Sequence, residues 1–306
     1  MRFATFLAPG SPVERVGVVD GDRIFALPAG PALVDLLGDL PAAGRSARAS
    51  PAAVFDTAEV RFLAPIPVPP SVRDFYAFEA HVRTARATRG LEMDPDWYEL
   101  PVFYFSNPAA ITGPGDDIPV PPGCTELDYE LEVAAVVGRP GSDLGPATAE
   151  AHIAGYTVMN DWSARDLQRR EMRQGLGPAK GKDFATSLGP VLVTPDELEP
   201  YRQDKAFNLA MTVHVNGVEW SRGRLSDLHW SFGEMLAHAS RGTVVRPGDV
   251  IGSGTCGTGC ILELSAVHGS EAYPWLRPGD VVELAVDGLG LLANSVRASS
   301  PASGPA

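Results

Sequence analysis

The segment Leu127-Asp128-Tyr129-Glu130-Leu131-Glu132-Val133-Ala134-Ala135-Val136-Val137 alternates polar and apolar residues and then becomes continuously apolar. Alternation with a period of two predicts a β-strand that runs into the core of a β-rich protein. Residues two apart share one face of a strand, so Asp128, Glu130 and Glu132 are predicted to point the same way. Three carboxylates on one face repel one another. A solvated edge strand would relieve that repulsion, and so would protonation, basic partners or a bound cation.

The composition is that of a soluble globular protein. Of the 306 residues, 44% are hydrophobic and 21% are charged. A net charge of −13 argues against nucleic acid as a partner. No apolar run approaches the roughly 20 residues of a membrane span, and no targeting segment is evident, so we expect a cytoplasmic protein with no membrane partner. Cys124, Cys256 and Cys260 form no disulfide framework and are expected to be reduced.

Three parts of the chain are predicted: a small N-terminal β-containing domain (1–64), a catalytic metal-binding domain (65–297) and a disordered tail (298–306). In the N-terminal part, strands are expected at Arg15–Val19 and Arg23–Ala26, joined by a tight turn. Ala32–Leu37 is predicted to be helical. The stretch Gly38–Ala53, rich in small residues, is predicted to be a surface loop.

Local signals predict the elements of the larger domain. A helix is expected over Asp74–Arg89, because Asp74 is a good N-cap residue and Gly90 a good terminator. Gly155–Met159 is predicted to be a buried strand that leads into a helix over Trp162–Arg173. The short apolar run Ile261–Leu264 is typical of a strand.

The first group of candidate functional residues follows the buried strand. Asp161, Arg165 and Gln168 stand at i, i+4 and i+7, which is one face of a helix. A helix cap and an ion pair would explain them, and so would a cation site shared with the acidic strand. Carboxylates without a His or Cys cluster select a hard ion, Mg²⁺, Mn²⁺ or Ca²⁺, rather than zinc.

The second group is Asp74 and His81, which lie two helical turns apart and can face one cleft. A lone helical histidine is usually structural, and it becomes a candidate base when a partner holds its tautomer. Glu263 is a candidate partner, because a carboxylate in an apolar run is costly unless it is paired.

Two segments resemble ligand loops. Gly181–Pro190 is small and polar and contains Lys182. Gly252–Gly259 contains four glycines in eight residues, which would let the backbone approach a ligand closely. The glycine spacing matches no dinucleotide pattern and the Walker lysine is missing, so a phosphate loop is excluded.

Six motifs occur in order, and together they are far more specific than any one alone. They are Asp74-Phe75-Tyr76 with His81, Leu127 to Glu132, Asn160 to Asp166, Gly181-Lys182 with Phe184, Gly252 to Thr255, and Leu262 to Ser265. Over roughly Pro65 to Arg297 the chain resembles the fumarylacetoacetate hydrolase family. The resemblance implies an α+β, β-rich fold, a mixed β-sandwich roll preceded by the small N-terminal unit, and usually a homodimer.

The resemblance also implies a cation site. A divalent cation, Mg²⁺ first and Mn²⁺ or Ca²⁺ as alternatives, would be bound by four carboxylates: Asp74, Glu130, Glu132 and Asp161. A second, structural cation near Asp161 is implied at positions that match Lys182 and Thr186.

The remaining implied roles concern catalysis and substrate. A dyad that activates water matches His81 and Glu263. Groups that stabilise developing negative charge match Arg165, Gln168 and Lys182. Substrate contacts match Tyr76 and Thr255.

Two positions depart from the hydrolase after which the family is named. Where that enzyme has a substrate-binding tyrosine, this chain has Met172, directly after Glu171. Where it has an arginine nine residues beyond the histidine, this chain has Gly90 with Arg89 alongside. Arg89 and Met172 are therefore the expected substrate contacts that differ, and the identity of the substrate stays open.

The function expected from the resemblance is a metal-dependent hydrolase that cleaves a carbon–carbon bond in a 1,3-dicarbonyl keto acid, such as fumarylacetoacetate or an acylpyruvate. One alternative is a decarboxylase, a tautomerase or isomerase, or a dehydratase that acts on a 2-oxo acid through a metal-stabilised enolate. Another is a non-enzymatic protein that keeps a metal only for folding.

Overall fold

The computed structural model describes residues 1–299, so the predicted tail lies outside the described residues from position 300 onward. The strands of this range are β1 Arg2–Leu7, β2 Glu14–Asp20, β3 Arg23–Ala26, β4 Ala53–Asp56, β5 Arg61–Phe62, β6 Val72–Phe75, β7 Phe103–Ser106, β8 Ile111–Thr112, β9 Asp117–Pro119, β10 Leu127–Asp128, β11 Leu131–Val137, β12 Gly141–Ser142, β13 Ile153–Asp161, β14 Ser163–Ala164, β15 Thr186–Val193, β16 Arg202–Gln203, β17 Ala206–Phe207, β18 Ala210–Val215, β19 Val218–Arg224, β20 Val244–Val245, β21 Val250–Gly252, β22 Val281–Val286 and β23 Gly290–Arg297. The helices are α1 Leu33–Leu36, α2 Leu40–Ala49, α3 Glu79–Ala87, α4 Pro146–Ala149, α5 Arg165–Met172, α6 Pro195–Leu198, α7 Phe232–Ala239 and α8 Ile261–His268.

Two sheets form the framework of the described part of the chain. The larger, 12-stranded sheet has the order β4-β3-β2-β1-β15-β13-β11-β21-β6-β7, with β5 beside β1 and β8 beside β15. Most of its pairs are antiparallel, whereas β21 runs parallel to β6. The smaller sheet has five strands in the order β19-β18-β22-β23-β9. The mixed, β-rich α+β fold predicted from the sequence is confirmed.

The core lies between the two sheets, and β11 is at its centre. Val133 and Ala135 of β11 pack in one apolar cluster with Leu284 and Leu292 of the smaller sheet. Ala134 on the opposite face belongs to a separate cluster. Because both faces of β11 are covered, its sequence is continuously apolar instead of alternating.

The N-terminal strands extend the same large sheet, since Phe3 of β1 pairs with Leu192 of β15. The predicted loop at Gly38–Ala53 is wrong, because most of it forms helix α2. Asp39 caps this helix by accepting a hydrogen bond from the Ala42 backbone nitrogen at 3.0 Å. Gly44 allows the helix to lie close to β1, since a Cβ there would be 3.2 Å from the ring of Phe3. The division of the chain at residues 64 and 65 stays a prediction.

The acidic segment is buried and broken, so the predicted continuous strand is wrong. The chain leaves the ladder at Tyr129 and Glu130, where the Glu130 nitrogen donates to Asn160 Oδ1 at 2.9 Å. β10 pairs with β14, while β11 lies between β13 and β21. The alternative of a solvated edge strand is therefore also wrong. Asp128 no longer shares a face with Glu132, because the break turns the two residues toward different neighbours.

Two further elements differ from prediction. Asp74 lies in strand β6 instead of capping a helix, and α3 begins only at Glu79. The run around Glu263 is helix α8 instead of a strand. Asp128 explains this helix, because its carboxylate accepts hydrogen bonds from the first two backbone nitrogens of α8, which no helix can satisfy internally.

Smaller differences concern helix ends and membrane topology. β13 continues to Asp161, so α5 begins at Arg165 instead of Trp162. No helix within residues 1–299 is long and apolar enough to cross a membrane.

Candidate metal centre

Four carboxylates from neighbouring strands converge at one point. They are Asp74 of β6, Glu130 between β10 and β11, Glu132 of β11 and Asp161 at the end of β13. One oxygen from each lies within 4.8 Å of the oxygens of the others, and all four residues are buried. The strand order β13-β11-β21-β6 places them together, although 87 positions separate Asp74 from Asp161 in the chain. The structure thus brings together the four carboxylates predicted as cation ligands.

Burial and mutual repulsion dominate the electrostatics of this carboxylate cluster. Burial, with repulsion from Asp161, raises the pKa of Asp74 well above its usual value. Burial, with repulsion from Asp74, does the same to the pKa of Glu132. Burial would also raise the pKa of Glu130, yet the charges of Lys182 and Arg165 hold it well below its usual range. The cluster therefore contains carboxylates that burial and their neighbours push toward opposite protonation states.

Unpaired oxygens show that the cluster fits a divalent cation. Glu132 Oε1 and Asp161 Oδ1 are buried and have no hydrogen-bond partner among the described residues. A buried polar atom without a partner is costly, and an anionic one especially so. Hard divalent cations take carboxylate oxygens as ligands and would satisfy both atoms. The donor set contains no sulfur or imidazole, which favours Mg²⁺, Mn²⁺ or Ca²⁺.

The glycine-rich loop Gly252–Gly259 donates backbone hydrogen bonds to two of the carboxylates. The Gly254 nitrogen donates to Asp74 Oδ1 at 3.2 Å and to Glu132 Oε2 at 3.1 Å. Gly254 has a φ of +76°, which favours glycine, and a Cβ at Gly252 would lie 2.5 Å from Asp74 Oδ1. The loop therefore lets backbone approach the acidic side chains.

Lys182 is buried against the cluster. Its ammonium nitrogen lies 2.5 Å from Glu130 Oε2 and also contacts Asp161. Burial would lower the pKa of Lys182, but Asp161 and Glu130 raise it above its usual value. A charged ammonium has no lone pair for a cation, so this side chain acts here as a charge partner. Thr186 lies opposite Asp161 in the pairing of β13 with β15, and the second cation site there stays a prediction.

Tyr104 is a site residue that the sequence did not indicate. Its hydroxyl donates to Asp161 Oδ2 at 2.5 Å, and its position on β7 is opposite Asp74 of β6. Burial, with the charge of Asp161, raises the pKa of Tyr104 well above its usual value. The pairing of β6 with β7 places this phenol beside the cluster. No local sequence pattern predicts that pairing.

Arg165, at the start of α5, connects the cluster to its surroundings. Its Nη2 donates to Glu130 Oε1 at 2.7 Å and its Nε donates to Asp128 Oδ2 at 2.8 Å. Its Nη1 donates to Gln168 Oε1 at 3.2 Å. The Gln168 amide nitrogen is therefore left to donate elsewhere.

A histidine–glutamate pair lies beside the cluster. His81 Nδ1 is 2.8 Å from Glu263 Oε2, and both residues are buried. His81 comes from α3 and Glu263 from α8, so two helices that are far apart in the chain bring the pair together. Glu263 thus holds one ring nitrogen of His81.

A cavity of about 700 Å³ opens onto these groups. Its polar lining includes most of the predicted site residues, namely Asp74, Tyr76, His81, Arg89, Glu130, Glu132, Arg165, Gln168, Lys182 and Thr255. Met172 also lines it and is 42% exposed. Burial raises the pKa of Tyr76 to about 12, so its hydroxyl stays protonated. Asp161, Thr186 and Glu263 are not part of the lining.

Comparison with known proteins identifies the family. Residues 71–297 match the family model described as the C-terminal domain of fumarylacetoacetate (FAA) hydrolase. The chain belongs to the fumarylacetoacetate hydrolase family. This match confirms the resemblance on which the sequence-based expectations rest.

Relatives in this family carry different activities in their names. An oxaloacetate tautomerase from Bacillus subtilis is 32% identical over 246 residues, which cover 79% of this chain and 75% of that protein. A fumarylacetoacetase from Arabidopsis thaliana is 33% identical over 243 residues, and the match covers 63% of this chain and 57% of that protein. Family membership therefore makes this chain a relative of enzymes without fixing its reaction.

A solved structure shows the same fold over nearly the whole chain. The fumarylacetoacetate hydrolase from psychrophilic Exiguobacterium antarcticum aligns with a TM-score of 0.74 at 28% identity. The alignment covers 97% of this chain and 99% of that one.

Proposed function

We propose that the protein is a divalent-cation-dependent hydrolase that cleaves a carbon–carbon bond in a 1,3-dicarbonyl acid, such as fumarylacetoacetate or an acylpyruvate. The observation that supports this most is the pairing of His81 with Glu263 at 2.8 Å, beside a cavity that three of the four carboxylates also line. A tautomerase needs no water-activating pair, whereas a hydrolase does.

Glu263 prepares His81 to act as a base. When Nδ1 donates its hydrogen to the Glu263 carboxylate, Nε2 is the ring nitrogen with a free lone pair. The carboxylate also stabilises the imidazolium that forms when Nε2 accepts a proton. Such a positioned base contributes about 10²- to 10⁴-fold to the rate.

The proposed hydrolysis begins at one carbonyl group of the substrate. A water oxygen bonds to the carbonyl carbon while His81 Nε2 takes one water proton. The adjacent carbon–carbon bond breaks, and its electron pair passes to the leaving carbon as an enolate. The imidazolium returns the proton to that carbon, which leaves two acids and an unchanged enzyme.

Arg165, Gln168 and Lys182 would stabilise the negative charge of the reacting oxygens. Lys182 has three donors, of which Glu130 and Asp161 take two, so one remains for substrate. Gln168 accepts from Arg165 and keeps its amide nitrogen free to donate. Preorganised donors of this kind stabilise the transition state more than water molecules do, because they need no reorganisation during the reaction.

The carboxylate cluster would hold the cation through Asp74, Glu130, Glu132 and Asp161. When bound, a divalent cation supplies Lewis-acid polarisation of the substrate carbonyl oxygens. Mg²⁺ is the first candidate and Mn²⁺ or Ca²⁺ the alternatives, because the donors are carboxylate oxygens.

A tautomerase is the second candidate function. The relative named as an oxaloacetate tautomerase is 32% identical over 79% of this chain. The same histidine could move a proton between a carbon and an enol oxygen without any attack by water.

A substrate panel distinguishes the two functions. Fumarylacetoacetate, acylpyruvates and oxaloacetate would each be incubated with the protein and Mg²⁺ or Mn²⁺, and the products identified by mass. Two acid fragments that together gain one water support the hydrolase. Unchanged mass, with accelerated deuterium exchange at the carbon between the carbonyls, supports the tautomerase instead. Full activity in excess chelator would refute the cation dependence of both candidate functions.

A further inference from the structure

Cys260 completes a second cluster of ligand atoms beside the catalytic pair. Its sulfur lies 3.6 Å from Glu263 Oε2, the same oxygen that is 2.8 Å from His81 Nδ1. One ligand atom from each of the three residues lies within 4.8 Å of those of the other two, and the three residues are buried. An imidazole, a thiol and a carboxylate therefore lie together in a group that shares no residue with the carboxylate cluster.

We propose that His81, Cys260 and Glu263 form a second cation site, which binds a borderline, thiophilic cation such as Zn²⁺ and switches off the catalytic base. The binding depends only on the positions and chemistry of these three side chains. The inhibition rests on the proposed function, because it assumes that His81 acts as a base.

Two of the three separations between ligand atoms are close to those around a tetrahedral cation. Zinc bonds of about 2.0–2.1 Å to nitrogen or oxygen and 2.3 Å to sulfur place tetrahedral ligands about 3.3–3.6 Å apart. The observed separations of 2.8 and 3.6 Å differ from these by half an ångström or less. With three protein ligands, the fourth position would be left for a water molecule, as in open zinc sites.

Ligand chemistry separates the two sites. Sulfur and imidazole favour Zn²⁺ and Co²⁺, whereas an all-carboxylate set favours Mg²⁺ and Ca²⁺. A thiolate and a carboxylate also neutralise the two positive charges of the ion. Mg²⁺ should therefore occupy the carboxylate cluster without competing for the site at Cys260.

Binding changes the protons of two ligands. The S–H bond of Cys260 breaks as the sulfur–cation bond forms, and its proton passes to solvent. His81 offers the lone pair of Nδ1 to the cation, so its ring proton moves to Nε2. A protonated Nε2 cannot accept a proton from water, and the base is lost without any redox change.

Cobalt gives a direct test that does not depend on turnover. Full-length protein saturated with Mg²⁺ would be titrated with Co²⁺, and the near-ultraviolet absorption followed. A thiolate-to-cobalt charge-transfer band is expected in the wild type, retained in Cys124→Ser and lost in Cys260→Ser. No band in the wild type, or an undiminished band in Cys260→Ser, would overturn the proposal.

A second variant keeps the test decisive if Cys260→Ser does not fold. His81→Asn removes one ligand and keeps the thiol, so the midpoint of the cobalt titration should move to higher concentration. An unchanged midpoint contradicts the site.

Inhibition is measured separately, on whichever substrate proves active. Zn²⁺ should inhibit in excess Mg²⁺, and raising Mg²⁺ further should not restore activity. Relief by Mg²⁺ would place the inhibiting ion in the carboxylate cluster and refute the switch. A cobalt band in a protein without hydrolase activity would leave the site standing and refute only the proposed function.

Discussion

Asp128 and Arg165 form a buried ion pair, with Arg165 Nε 2.8 Å from Asp128 Oδ2. The same carboxylate accepts hydrogen bonds from the backbone nitrogens of Ile261 at 2.7 Å and Leu262 at 3.0 Å. Asp128 thereby joins the guanidinium beside the carboxylate cluster to the helix that carries Glu263. Asp128 does not itself line the cavity, yet it contacts two lining residues, Arg165 and Leu262, and fixes their relative positions.

Asp128→Asn tests this connection. The amide keeps its shape but offers one acceptor oxygen where the carboxylate offers two, and it leaves a buried guanidinium less well paired. We expect the free energy of unfolding to fall by about 1–3 kcal/mol, as for other buried hydrogen bonds to charged groups. Urea denaturation measures this change.

Glu126→Gln is the matched control, because Glu126 pairs with Arg169 on the same helix at the surface. An exposed ion pair contributes about 1 kcal/mol at most. If the two variants lost equal stability, the connecting role of Asp128 would be wrong.

Much of the candidate site could be predicted from the sequence because its motifs are short. Glu130 lies two residues from Glu132, and Asn160 is adjacent to Asp161. Each of these motifs can therefore be recognised from a short stretch of sequence. The fold then needs only strand order to bring them together. Tyr104 and Asp128 could not be assigned, because their roles depend on which strands pair and where a strand breaks.

Two of the errors in secondary structure have the same physical cause, which is a contact with residues distant in the chain. Short apolar runs such as Ile261–Leu264 fit a strand and a helix equally well, and length cannot separate them. The segment ended as a helix because Asp128, far away in the chain, caps it. Asp74 likewise has the local signature of a helix cap, but pairing of β6 on both sides keeps it in a strand.

His81→Ala is expected to lower kcat by about 10²- to 10⁴-fold, because it removes the group that accepts the proton of water. Glu263→Gln should lower kcat less, since the imidazole remains and loses only its orienting charge. The affinity for Mg²⁺, measured by calorimetry, should change little in either variant. His152→Gln, a histidine outside the cavity, is the control, and activity retained by His81→Ala would remove the proposed base.

Tyr104→Phe tests the residue that sequence analysis missed. Loss of the hydroxyl leaves Asp161 without one of its partners, so the carboxylate is oriented less firmly toward a cation. Groups that orient metal ligands typically contribute 10- to 100-fold to affinity, and a loss of about tenfold in Mg²⁺ or Mn²⁺ affinity is expected here. Tyr98→Phe removes an exposed hydroxyl that bonds Glu79 and should leave the affinity unchanged. Equal affinities in wild type and Tyr104→Phe would show that Asp161 needs no such support.

Gly252→Ala should displace the Asp74 carboxylate, since the added methyl group would lie 2.5 Å from Asp74 Oδ1. We expect cation affinity to fall more than stability does, because a side chain can rotate away while the strand stays paired. Gly38→Ala is the control, as a Cβ there meets no atom within 4 Å. Calorimetry and thermal unfolding together separate the two effects. Unchanged cation affinity in Gly252→Ala would show that the close approach of Gly252 does not position the Asp74 carboxylate.

Glu132→Gln should stabilise the protein in chelator while it weakens cation binding. Glu132 is fully buried beside Asp74, and one of its oxygens has no partner among the described residues. A neutral amide removes repulsion within the cluster and can donate to a neighbouring carboxylate, so the cation-free protein should gain stability.

The wild type should gain about 2.7 kcal/mol from a cation at one hundred times its dissociation constant, and the variant much less. Thermal unfolding with and without Mg²⁺ measures both changes, with Glu271→Gln as the exposed control. A variant that is less stable than wild type in chelator would show that repulsion among the carboxylates does not limit the cation-free fold.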